Sequence, residues 1–87
     1  MDSPTVHADV AFRRVGEEVV LVNLVTNEIF ALNETGARFW ELLAEGHTRA
    51  EIVATLAVEF DVGEAQVDAE ATALIEQLGK AGMLARS

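Results

Sequence analysis

Residues 28–45, EIFALNETGARFWELLAE, change their hydrophobic period halfway along, and that change decides the fold. Up to Leu32 the spacing is two: Phe30 and Leu32 point one way and Ile29 and Ala31 the other, a strand with apolar residues on both faces. From Asn33 the spacing becomes helical. Gly36, Trp40 and Leu43 fall on one stripe beside Phe39 and Leu42, Asn33 is a ready N-cap, and Gly46 supplies the stop, which predicts a helix through about Glu45. A strand therefore runs straight into a helix.

Working back from this stretch, Val19 to Leu24 is a β-branched and leucine run that reads as a central strand. Val25-Thr26-Asn27 interrupts it, and Asn27 accepts positive φ cheaply, so Glu28 to Leu32 returns as the third strand of a tight hairpin. Val10 to Val15 alternates as a first strand ending at Gly16, preceded by a loose arm over Met1 to Ala8. Working forward, Thr48 and Glu51 form a capping box for a second helix carrying Ile52, Val53, Leu56, Ala57 and Phe60. Asp61-Val62-Gly63 breaks the pattern. Val67, Ala71, Leu74 and Leu78, widened by Ile75, then mark a third helix ending near Gly82, with Met83 and Leu84 folding back as an apolar plug. The expectation is an α+β fold over residues 1–87: a three-stranded antiparallel sheet followed by three helices, winged helix-turn-helix-like in outline. No later segment reads as a strand, so the third strand is expected to be an open edge.

Composition narrows the function. At 87 residues the chain fits one domain, and its 51% apolar content is ample for a core. Fifteen acidic residues against six basic ones give a net charge of −9, which repels phosphate and attracts cationic partners. There is no cysteine, hence no disulfide or thiolate chemistry, and no apolar stretch of membrane-spanning length. A soluble, cytoplasmic protein is expected, monomeric or weakly dimeric through its open edge.

Catalytic constellations are missing from the sequence. His7 lies in the arm and His47 in a helix-helix turn, neither with a second ligand at helical spacing. Ser3 and Ser87 lack a partnered base. Glu17, Glu18, Glu41, Glu45, Glu64, Asp68, Glu70 and Glu76 mostly lie opposite the apolar stripes, as solvated faces do, and the glycines form no phosphate or dinucleotide loop. No cofactor, metal or enzymatic activity is implied. A winged-helix DNA-binding protein or an acidic regulatory protein is the alternative reading. Against DNA, the third helix carries Glu64, Asp68, Glu70 and Glu76 with Lys80 as its one cation.

Val20 to Leu84 resembles the family of pyrroloquinoline quinone biosynthesis protein D. The likeness lies in Leu21-Val22-Asn23, in Phe30 to Ala37 running into Phe39-Trp40-Glu41-Leu42-Leu43, in Gly46-His47-Thr48, in Phe60-Asp61-Val62 and in the ending around Gly82-Met83-Leu84. Asn27 stands where the family often has glycine, Glu70 where aspartate is common, and Gly63 where a better capping side chain is usual. The resemblance implies a recognition element for ribosomally made, modified peptides: the leader of a precursor adds as an antiparallel strand to the third strand, in a groove closed by the third helix. It also implies a maturation enzyme as second partner, whether a radical SAM enzyme, a leader peptidase or a cyclase.

On that basis the peptide-binding residues are expected to be Asn27, Glu28, Ile29, Phe30, Ala31 and Leu32 on the strand and Val67, Asp68, Ala71, Leu74 and Ile75 on the helix. Among them Ile29, Ala31, Asp68, Ala71 and Ile75, which lie off the densest stripes, are the favoured groove residues. Phe30, Leu32, Leu74 and Leu78, with Trp40 as anchor, are favoured for the core. The helix is thus expected to turn Ile75 toward the peptide and Leu74 toward the interior.

Overall fold

The computed structural model describes residues 5–85, leaving Ser3, Ser87 and the first four residues of the expected arm outside the described residues. Its elements are β1 (Thr5–Val6), β2 (Val10–Val15), β3 (Glu18–Asn23), β4 (Ile29–Leu32), α1 (Glu34–Ala44), α2 (Arg49–Glu59), α3 (Glu64–Lys80) and β5 (Leu84–Ala85). β2, β3 and β4 form an antiparallel sheet in that order, followed by the three helices, so the expected α+β architecture holds.

Two expectations at the chain ends need correction. Thr5–Val6 is no loose arm but pairs antiparallel with Leu84–Ala85, a strand that the sequence reading missed. Two residues are too few to display a period, and their pairing depends on long-range closure of the ends. Within the plug, Met83 is fully buried, whereas Leu84 is half-buried in this second, two-stranded sheet.

The hairpin is set by Asn23 and Asn27. Asn27 takes φ 64°, as its residue type suggested, and its N–H donates to the Asn23 carbonyl at 2.7 Å. Asn23 is the one buried polar residue of the described chain. Its Oδ1 accepts from the N–H groups of Val25 and Thr26, and its Nδ2 donates to the Gly82 carbonyl at 2.7 Å, tying the hairpin to the end of α3. With its buried amide so satisfied, Asn23 costs little to bury. Leu24 and Glu28 fall in the turn, so the second and third strands end and begin one residue inside the expected bounds.

One face of the sheet packs on the helices. Val19, Leu21, Leu32, Ala37, Trp40, Leu78 and Met83 make one buried cluster, and Phe39, Leu42, Ile52, Leu56, Val67 and Ala71 a second that joins the three helices. Trp40 anchors the first, with the half-exposed Phe12 edge-on to it at 5.7 Å. The corner from β4 into α1 is tight: Asn33 Oδ1 caps the helix by accepting from the Gly36 N–H, and a Cβ on Gly36 would lie 3.3 Å from the Leu32 side chain. The Thr48–Glu51 capping box starts α2 as expected.

Not all the carboxylates are merely solvated. Glu41 accepts from Arg14 Nε at 2.7 Å, joining α1 to β2, and Glu59 takes both Nε and Nη2 of Arg38 at 2.9 Å, joining α2 to α1. The hydrogen bond from Arg14 holds the Glu41 carboxyl below its ordinary range, and that from Arg38 does the same for Glu59. A carboxyl lowered on folding contributes stability above its unfolded pKa and loses it as pH falls through the folded value. The melting temperature should therefore decline as pH drops from neutral through and below the carboxylate range, and the decline should be shallower in Glu41→Gln/Glu59→Gln. Thermal melts across pH on both proteins check this; equal slopes would show that these pairs do not contribute.

Candidate functional site

β4 is one edge of its sheet, and the register says which of its backbone groups are free. Asn23 N–H donates to the Glu28 carbonyl at 2.9 Å, and antiparallel pairs alternate between bonded and non-bonded. Leu21↔Phe30 and Val19↔Leu32 are therefore bonded pairs, while Val22↔Ile29 and Val20↔Ala31 are not. It follows that Phe30 and Leu32 aim their N–H and C=O groups at β3, and Ile29 and Ala31 aim theirs outward. The opposite edge, β2, has Arg14 tied across to Glu41.

Beside the β4 edge lies a groove of about 480 Å³ between the strand and α3. Phe30, Leu32, Gly36, Phe39, Leu56, Val67, Ala71 and Leu74 give it apolar walls, and Asn33, Thr35, Glu70 and Gln77 its polar margin. Along α3 the residues sort into two lines. Val67, Ala71 and Leu74 are buried or half-buried, and Glu70, Ala73 and Gln77 are exposed beside them at spacings of three and four.

Of the residues expected at the site, Phe30, Ala31, Leu32, Val67, Ala71 and Leu74 line this groove. Asn27 and Glu28 sit in the exposed turn, and Ile29, 69% exposed, offers the edge its backbone while its side chain lies on the outer sheet face. The expected interior stripe of α3 is buried at Val67, Ala71 and Leu78, but the split between Leu74 and Ile75 differs from expectation. Leu74, assigned to the interior, packs on both clusters and also lines the groove, whereas Ile75 packs against the cluster joining the three helices and is not part of the groove lining. Asp68 also faces away, accepting from Arg49 Nη2 at 2.9 Å on α2. The adjacent residues 74 and 75 lie about 100° apart around a helix and both are half-buried, so the stripe alone does not say which of them borders the groove.

The sequence reading missed Asn33, Thr35, Gly36, Phe39, Leu56, Glu70, Ala73 and Gln77 as groove residues. Gly36 carried a signal, because a glycine in the first turn of a strong helix marks a close approach. The Glu70, Ala73, Gln77 line was readable only with the rotation known. Among the described residues no group of three or more His, Cys, Asp or Glu side chains could hold a metal, and no helix is long and apolar enough to cross a membrane.

Residues 18–84 match the family described as Coenzyme PQQ synthesis protein D (PqqD). The chain belongs to the PqqD family. Among solved structures, the PqqD-family fold seen here is similar to that of TbiB1 in complex with the TbiA(beta) leader peptide, with 29% identity over 95% of this chain and 96% of that one and a TM-score of 0.90. A lasso peptide synthetase B1 complexed with its leader peptide shares the fold at 22% identity, covering 98% of this chain and all of the other, with a TM-score of 0.86. No curated protein sequence matches the chain.

Proposed function

We propose that this PqqD-family chain is a non-catalytic module that captures the leader segment of a ribosomally made precursor peptide and presents the precursor to a maturation enzyme. The observation that carries this reading is the open β4 edge placed directly beside an apolar groove, in a fold shared with TbiB1, which was solved with a leader peptide bound.

A leader strand antiparallel to β4 would exchange hydrogen bonds with the backbones of Ile29 and Ala31, up to four in all from two N–H and two C=O groups. Its side chains opposite Phe30 and Leu32 would point into the groove, so the preferred leader carries two apolar residues separated by one. Main-chain bonding supplies affinity and the groove supplies selectivity. Tethering the precursor raises its effective concentration at the active site of a radical SAM enzyme, leader peptidase or cyclase, and needs no reacting group here. Translation delivers precursors to the cytoplasm, where the module would act.

The test is titration of leader peptides from neighbouring precursor genes, with amide exchange read at β4. In the free protein the Ile29 and Ala31 amides should exchange quickly and those of Phe30 and Leu32 slowly; bound leader should slow all four. Affinity should fall gently with salt, since strand addition and apolar contacts dominate. Absence of leader binding, combined with tight and steeply salt-dependent binding to duplex DNA, would overturn the reading in favour of the regulator.

A further inference from the structure

The groove has a single charged lining residue. Glu70 stands at the α3 margin of an otherwise neutral cavity, exposed, next to Ala71 and one turn from the floor residues Val67 and Leu74. Its carboxylate has no ion-pair partner among the described residues, and its Oε2 accepts a long bond, 3.4 Å, from Gln66 Nε2 on its own helix. Other carboxylates near helix junctions are matched: Glu41 by Arg14, Glu59 by Arg38 and Asp68 by Arg49. Ala73, the next residue along the same margin, is small and leaves the space beside the carboxylate open.

We propose that Glu70 is a specificity-determining residue, which makes the groove select peptides carrying a basic side chain at a fixed offset from the apolar pair. The inference rests on the leader-capture reading and adds to it a charge preference at one groove margin. Val67 and Ala71, which flank Glu70 on α3, pack with Phe39 and Leu56, and Glu70 lines the groove across from β4. A lysine or arginine of the bound strand that reaches this margin meets an unmatched carboxylate, and arginine can bond it with two N–H groups. Glutamate or aspartate at the same place is repelled.

A displayed library of random peptides long enough to span β4 tests this, panned on the full chain and on Glu70→Gln and Glu70→Lys, with circular dichroism melts to establish that the exposed substitutions leave the fold intact. The wild-type chain should enrich an apolar pair two residues apart, with lysine or arginine at a fixed offset from it. Glu70→Gln should erase the basic preference, and Glu70→Lys should replace it with an acidic one at the same offset. The wild-type winner should bind Glu70→Lys about three- to tenfold more weakly, the size of a partly exposed charge pair turned repulsive. Enrichment of the apolar pair with no charge at a fixed offset, or a basic preference unchanged in Glu70→Lys, would overturn the role of Glu70 and leave leader capture standing. Enrichment of no extended apolar motif by any of the three chains would sink the capture reading, and Glu70 selectivity with it.

Discussion

Ala31→Pro should leave the domain folded and cut leader affinity by about ten- to a hundredfold, the loss of a main-chain bond together with the crowding of a ring on the edge. Its neighbour should behave in the opposite way. Phe30→Pro removes an N–H that faces β3 and orphans its acceptor at the fully buried Leu21, about 1–3 kcal/mol from the unsatisfied carbonyl alone, before any strain in the strand. A proline is tolerated in a sheet where its missing N–H faces outward on an edge, which on this register means Ile29 and Ala31 and not Phe30 or Leu32. Melting curves and leader titrations on the two variants decide the matter. If Ala31→Pro bound leader normally, strand addition at β4 would be the wrong mode of capture. If Ala31→Pro unfolded while Phe30→Pro folded and lost binding, the register would be shifted by one residue.

The contrast between these neighbours explains what could be read from the sequence. Period two before Leu32 and period 3.6 after Asn33 located β4 and α1, because each element buries one face and the sequence must declare which. The caps at Asn33 and Thr48 and the positive φ of Asn27 are local chemistry, set by side chains within three residues, and they were legible for the same reason. The β1–β5 pairing was not, since it joins the two ends of the described chain and is only two residues long.

The site was half legible. An edge strand can be inferred from the lack of a later strand to pair with it, so Ala31 and its neighbours were expected on an edge, where β4 lies. The helix wall was harder. α3 carries alanine at 65, 69, 71 and 73 on several sides, and Leu74 and Ile75 compete for the interior. Both are half-buried: Ile75 completes the contact of α3 with the other helices, while Leu74 touches both clusters and closes the groove. No period in α3 alone distinguishes a face covered by a helix from one left for a peptide, because both are apolar.

That division of labour along α3 sets the second large effect. Leu78 is fully buried between the sheet and α1, among Val19, Leu21, Trp40 and Met83. Leu78→Ala should therefore cost about 2–5 kcal/mol, including the cavity it leaves. For a domain of this size that lowers the melting temperature by about 10 °C or more, a large part of the stability such folds possess. Leu74 has a free side toward the groove, so Leu74→Ala creates no closed cavity and should cost the fold about 1 kcal/mol while weakening leader binding tenfold or more, as truncation of an apolar contact in a binding groove does. Ile75→Ala supplies the third measurement: its side chain packs against the helical cluster, so it should reduce stability and leave affinity nearly unchanged. Melts and titrations on the three variants give a pattern that only one rotation of α3 satisfies. Loss of leader affinity in Ile75→Ala, with normal binding by Leu74→Ala, would mean that the helix presents its other face to the peptide and that the groove between β4 and α3 is not where the leader lies.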